Sequence, residues 1–293
     1  MKVVGLLHPQ IDLKKAILFS FFLIGCMVLS IFSSGKVMAQ GNLLITPRRV
    51  VFEGKKKIQE LNLANTGKDT ATYNISFKQI RMTEDGQFEE ITQPDLGQNF
   101  ASNYLRFFPR RVTLAPNEAQ LVKMQLVKTN LLQAGEYRSH IYFRGVPQKN
   151  PLGGKEDQSE TTGLSVSLTP VFGITIPVII RRGESTTQVS VSDLKFERDK
   201  DLIPGLGLKL NRTGNMSVYG DIRVNYISSE GKQSLVGLLK GLAVYMPTVS
   251  RTIRIKLENQ DGIDYTRGKL HFVYSKQKSN KGGILCEAEL NLH

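Results

Sequence analysis

The sequence predicts an all-β chain: two immunoglobulin-like β-sandwich domains behind a signal peptide. Three observations predict it. Apolar and polar residues alternate with period two along most of the chain, and short polar turns separate the alternating runs. No stretch longer than about ten residues carries a helical period with caps. Strands at this spacing, joined by polar turns, pack as a sandwich or barrel. The chain has 293 residues and 40% apolar residues, enough for two sandwich cores, and lacks tryptophan, so Phe, Tyr, Val, Ile and Leu must build them.

Residues 1–39 read as an export signal. Lys14 and Lys15 form a positive region, an apolar run follows from Ala16 to Phe32, and Val37-Met38-Ala39 offers small residues for cleavage before Gln40. Two alternatives stand beside cleavage. The apolar run, short for a membrane span of ~20 residues, could stay as an N-terminal anchor. Leu23-Ile24-Gly25-Cys26 also fits a lipoprotein box, although apolar residues continue past Cys26. The expected location is the periplasm.

The formal charge is +13 with a pI near 9.7; losing residues 1–39 removes four lysines and Asp12 and leaves +10. That excess favours an anionic partner: a carboxylate, an acidic protein face, lipid headgroups or nucleic acid. Of the two cysteines only Cys286 lies beyond residue 39, so no internal disulfide is expected and Cys286 reads as a small apolar residue.

The first domain is expected over residues 40–182. Its strands are read at 43–52, 58–65, 72–82, 87–91, 104–114, 119–128 and 136–146. Tyr137, Ile141 and Phe143 share one face there, and Arg138, His140 and Arg144 the other. Asn65-Thr66-Gly67, Glu84-Asp85-Gly86, Ala115-Pro116-Asn117 and Ala134-Gly135 supply turns. Charge and glycine at Arg181-Arg182-Gly183-Glu184 mark the boundary. The second domain, 183–293, is read with strands near 187–191, 206–211, 217–227, 235–245, 249–257, 268–275 and 284–292. Gly205-Leu206-Gly207 reads as a turn between strands.

Residues 145–163 are polar and rich in breakers, a loop length that usually signals function or disorder. An unusually long alternation follows: Leu164, Val166, Leu168, Phe172, Ile174, Ile176, Val178 and Ile180 all fall on even positions, broken by Pro170. Seventeen residues at ~3.3 Å each would extend ~55 Å, against ~20 Å for a common strand. Two readings stand. In one, half of the strand is an edge, consistent with Pro170 and Pro177, and a partner completes it. In the other, it bends at Pro170 and Gly173 and its halves serve both sheets.

Enzyme chemistry finds little support. His140, His271 and His293 lie at no metal-ligand spacing from one another or from the cysteine. No nucleophile elbow or phosphate loop is present, and Glu89-Glu90 read as water-facing rather than as a glycosidase pair. No cofactor is implied. Basic clusters at Lys55-Lys56-Lys57, Arg110-Arg111 and Arg181-Arg182 lack an aromatic platform for nucleic acid and read as solvated turns or as gatekeepers that suppress edge aggregation. The sequons at Asn74, Asn211 and Asn215 read as incidental.

Several blocks resemble the periplasmic chaperones of pilus assembly. They are Ile45-Thr-Pro-Arg-Arg-Val-Val-Phe52, Leu61 to Tyr73, Phe107 to Lys123 with its Ala-Pro-Asn-Glu turn, and Gly135-Glu-Tyr-Arg-Ser-His-Ile-Tyr-Phe143. The likeness covers most of 43–182. Over 183–293 it amounts to a second sandwich. The resemblance implies that Leu164, Val166 and Leu168 are lent as a strand to an unfinished fibre subunit, while Phe172, Ile174 and Ile176 enter the chain's own core. Arg49 matches the first of two basic residues that hold the subunit's terminal carboxylate; without the resemblance it reads as a solvated strand arginine. The second anchor position, a lysine in the family, holds Pro177, with Arg48, Arg181 and Arg182 as candidate substitutes. The implied partners are protein subunits of a surface fibre and an outer-membrane usher, with self-pairing through the edge open, and with no nucleic acid and no small-molecule substrate. A second reading, favoured by Pro177, is a structural component of a surface or envelope assembly that keeps the sandwich pair without a chaperone cycle.

Overall fold

The computed structural model describes residues 43–147, 171–260, 262–277 and 283–292. The signal-peptide reading, Cys26, Leu164, Val166, Leu168 and Pro170 lie outside the described residues. Among those described there is no α-helix, and no helix long and apolar enough to cross a membrane.

The first sandwich holds β1 (Leu43–Thr46), β2 (Val50–Phe52), β3 (Ile58–Asn65), β4 (Ala71–Lys78), β7 (Leu105–Phe108), β8 (Arg111–Leu114), β9 (Ala119–Leu126), β10 (Gly135–Gly145) and β11 (Gly173–Arg182); β5 (Ile80–Met82) and β6 (Phe88–Glu90) make a separate hairpin. One sheet runs β1-β3-β9-β7 and the other β2-β11-β10-β4-β8. The runs expected at 43–52 and 104–114 each divide, at Pro47–Arg49 and at Pro109–Arg110, and their halves serve opposite sheets. The phase of burial changes at each break. Leu43 and Ile45 give way to Val50 and Phe52, and Leu105 and Phe107 to Val112 and Leu114, so both halves still point inward. The run expected at 72–82 breaks at Gln79, and β6, expected as a sandwich strand, pairs with β5 instead.

The second sandwich holds β12 (Gln188–Arg198), β13 (Pro204–Thr213), β14 (Val218–Ile227), β15 (Gln233–Val244), β16 (Ser250–Lys256), β17 (Lys269–Lys276) and β18 (Ile284–Asn291). Its sheets run β12-β13-β16 and β15-β14-β17-β18. Gly205 and Gly207 lie inside β13 rather than in a turn. A Cβ on Gly205 would stand 2.7 Å from the Arg254 guanidinium, so the bare backbone makes room for a neighbouring side chain. β12 runs past its expected end through a bulge between Ser192 and Lys195, where Asp193 takes a φ of 55°.

Each sandwich buries its own apolar cluster. Leu61, Leu63, Ile141, Phe143 and Val178 anchor the first, and Leu206, Leu210, Val224, Phe272 and Tyr274 the second. Each such side chain contributes about 1.5–3 kcal/mol through burial. A smaller cluster joins the two: Met82, Ile179, Ala243 and Tyr245. Polar contacts reinforce it. Thr252 donates its N–H to the Glu84 carbonyl at 2.7 Å, the Ser250 hydroxyl donates to Glu84 Oε1 at 3.0 Å, and the Thr248 hydroxyl donates to the Met82 carbonyl. The β5–β6 hairpin therefore ties the first sandwich to the second.

Candidate partner-binding edge and interdomain cleft

β11 lies between β10 and β2. It pairs with β10 over its whole length, from Gly173 opposite Arg144 to Arg182 opposite Gly135. On its other side β2 runs parallel to it and covers only Val178–Ile180. The edge from Gly173 to Pro177 therefore has no ladder partner among the described residues. Burial falls off toward the start of the strand: Ile176, Val178 and Ile180 are buried, Ile174 is half-buried, and Phe172 is 49% exposed. The expectation that Phe172 enters the chain's own core is thus corrected. The Phe172 carbonyl still accepts the Gly145 N–H at 2.9 Å, so its backbone stays on the sheet while its ring faces out beside Val171, itself 40% exposed.

The other face of β10 and β11 turns toward the second sandwich. Alternation places Glu136, Arg138 and His140 of β10 on it, and all three are buried. From β11 it receives Ile179 and Arg181. Arg181 does not behave as a solvated turn residue. Its Nε donates to Glu136 Oε2 at 3.0 Å and its Nη2 to the Ser217 carbonyl at 2.6 Å. Glu136 also accepts the Ser217 N–H at 3.0 Å and the Ser217 hydroxyl. One carboxylate thus joins β11 to the start of β14.

Arg49, in the bend between β1 and β2, lies with its guanidinium 4.4 Å from the centre of the Tyr219 ring. The residue is partly exposed, but its Nε and Nη2 are buried and donate to no partner among the described residues. Arg138 stands 4.5 Å from the Tyr245 ring and donates Nη2 to the Met246 carbonyl at 3.1 Å, leaving Nε and Nη1 buried and unmet. His140 leaves Nδ1 in the same condition. Burial pulls the pKa of both guanidiniums below the ordinary arginine value. It also pushes His140 down to about 3, with the Arg138 charge adding to the effect, so His140 is neutral at physiological pH. Tyr245 is raised by burial, against the pull of Arg49 and Arg138.

The residues singled out from sequence are therefore divided between two places. Arg49 and Arg181 meet between the two sandwiches, where both feel Glu136. Arg48 is exposed, and Arg182 is exposed and donates to the Thr129 carbonyl at 2.6 Å. Pro177 stands directly across the ladder from His140. Sequence reasoning did not single out Glu136, Arg138, His140 or Tyr245. The alternation put Arg138 and His140 on the polar face of their strand, and nothing local reveals that another sandwich covers that face. Among the described residues, no three His, Cys, Asp or Glu side chains gather as a metal site.

No family model matches the chain, and no curated protein matches it. Similar solved structures include the YadV chaperone, 14% identical, covering 86% of this chain and 100% of that one at a TM-score of 0.42. The CupB2 chaperone of Pseudomonas aeruginosa is 13% identical, covering 85% of this chain and 100% of that one at 0.40. A chain of the Salmonella enterica complex of the SafA pilin with the SafB chaperone is 13% identical, covering 85% and 96% at 0.39.

Proposed function

We propose that the protein is a periplasmic chaperone that binds and caps subunits of a surface fibre by lending them an edge strand. The observation that carries this reading is the half-covered strand β11. Its Gly173–Pro177 edge is unpaired among the described residues, and exposed Val171 and Phe172 lead into it. A strand edge with outward apolar side chains gains ladder hydrogen bonds and buried area when a second chain adds to it. Leu164, Val166 and Leu168 continue the same alternation upstream and are the residues proposed to enter the subunit's core. Arg49, with Arg181 beside it, is proposed to take the subunit's terminal carboxylate.

In this reading the protein is a binding protein rather than an enzyme. No cofactor is consumed, because apolar burial and backbone pairing supply the free energy. The chain is exported by its first 39 residues and works with an outer-membrane usher. The test is co-purification of the mature protein from the periplasm, wild type beside Val166→Asp. A β-rich subunit held one to one by the wild type and lost by a folded variant supports strand lending. Equal capture by both rejects it.

Pro177, which removes a donor from the exposed edge, favours the second reading, a structural component. That reading requires the protein to remain in the finished assembly. A capping chaperone is absent from it.

A further inference from the structure

The second sandwich is open along one side. β15 is an edge strand of its sheet, and β16 is an edge strand of the other sheet. Beyond its ladder with β14, the only backbone bond to β15 among the described residues is the Glu258 N–H on the Val236 carbonyl, at 2.7 Å. Past that bond, Leu238–Lys240 has no ladder partner on its outer edge among the described residues. A cavity of about 850 Å³ opens here, bounded by β15, by the segment that follows β16 and by the turn between β12 and β13. That volume falls within the roughly 300–1,000 Å³ of ligand sites.

Leu238 of β15 and Leu202 of the turn line the cavity, 47% and 72% exposed. Leu202 is an unusual residue for its position. It takes a φ of 59°, in the left-handed region that suits glycine or asparagine. The turn enforces this conformation. Asp199 Oδ1 accepts the N–H of Asp201 at 3.0 Å and that of Ile203 at 2.9 Å. The Asp199 carbonyl accepts the Leu202 N–H at 3.0 Å, and Arg198 donates to the Leu202 carbonyl at 3.0 Å. A large apolar side chain held out on strained backbone adds nothing to the core, and such strain gathers at ligand sites. Charge narrows the class of ligand. Arg198 and Lys256 offset Asp201 and Glu258 around the cavity, and none of the four forms an ion pair among the described residues. The rim is therefore neutral and favours neither a polyanion nor a polycation. The free strand edge selects a polypeptide, because another backbone presents donors and acceptors at the strand repeat.

We propose that the β15 edge and the cavity beside it form a further docking site, which takes an extended segment of a partner polypeptide. The segment's backbone pairs with Leu238–Lys240. Its apolar side chains pack against Leu202 and Leu238, and one side chain of each charge meets the rim. The site belongs to the second sandwich and does not rest on strand lending by β11.

The experiment titrates the mature protein into a fluorescently labelled peptide and reads anisotropy. In the peptide leucine alternates with serine, with one lysine and one glutamate. Saturable binding is expected. Methylating one alternate set of the peptide's amide nitrogens should abolish it, and methylating the other set should not, because only one set faces the ladder. Leu202→Gly should weaken binding about 10-fold, the worth of one buried leucine, while its urea midpoint holds or rises, because glycine accepts this φ. Leu238→Asp should abolish binding in a folded protein. No saturable binding by the wild type, equal binding by both variants, or equal binding after either methylation overturns the proposal. Binding lost in Val166→Asp and kept in Leu238→Asp places the peptide on the β11 edge and overturns it too. A dimer in sedimentation that Leu238→Asp dissolves, in place of peptide binding, assigns the edge to a second copy. Saturable uptake of lysophosphatidylethanolamine in place of the peptide assigns the cavity to an amphiphile. Either result also overturns the proposal.

Discussion

Glu136 and Arg181 stand opposite each other on the β10–β11 ladder and meet at 3.0 Å, and the same carboxylate reaches Ser217 in the second sandwich. This one group therefore holds Arg181 in place and adds to the contacts that join the two sandwiches. Its side chain is only 1% exposed, so water cannot replace what is lost when it changes.

Glu136→Gln should destabilise the protein by about 3 kcal/mol, the scale for breaking a buried charged pair. The amide presents donors to the Arg181 and Ser217 donors and removes the negative charge nearest Arg49 and Arg138. Urea unfolding measures it as a drop in midpoint at constant slope. A change within error would mean that the Met82–Ile179–Ala243–Tyr245 cluster and the Glu84 contacts hold the second sandwich without this carboxylate.

His140 makes stability depend on pH in a defined direction. Its folded pKa is about 3, below the 6.5 of an exposed histidine. Between those values the unfolded chain binds the extra proton, so His140 stabilises fully above pH 6.5 and progressively less as pH falls toward 3. The slope due to this one group is up to about 1.4 kcal/mol per pH unit. Arg138 is the charged group acting on it, and Phe88 and Tyr245 are its ring neighbours. In His140→Phe the stability difference from wild type should shrink as pH is lowered from 7 to 5. A constant difference would contradict the assignment.

Asn65 joins two turns. Its amide nitrogen lies 2.8 Å from the Asp69 carbonyl and 3.0 Å from that of Leu114, and its oxygen accepts the Gly67 N–H at 2.9 Å. The residue is 2% exposed. Asn65→Ala leaves those groups unmet, at a cost of about 2–3 kcal/mol. Asn65→Asp should be no better, because the lost amide donors face carbonyl oxygens. Chemical denaturation of the two variants checks both statements.

The strands were largely legible in the sequence because alternation is a local signal. The run read at 58–65 is β3 to the residue, and the even phase of Ile176, Val178 and Ile180 matches their burial. What was illegible depends on contacts distant in sequence. Arg138 and His140 look like ordinary outward residues until Tyr245, Met246 and Phe88 pack against them. Gly205 and Gly207 look like a turn because nothing nearby announces that Arg254 lies across the strand. Phe172 keeps the phase of the core residues but lies just before the first ladder residue of β11 and is exposed. Arg49 was singled out by resemblance, and its burial against Tyr219 became visible only in three dimensions.

The central claim is that the free edge beside β11 receives another chain's strand, and amide hydrogen exchange tests it most directly. Exchange is measured residue by residue in the free protein and in its complex with a captured subunit. The account predicts new protection over 164–176 in the complex, on alternate amides as a one-sided ladder requires, with β3 and β9 unchanged. A bound subunit that leaves 164–176 unprotected, and protects another surface instead, would contradict it.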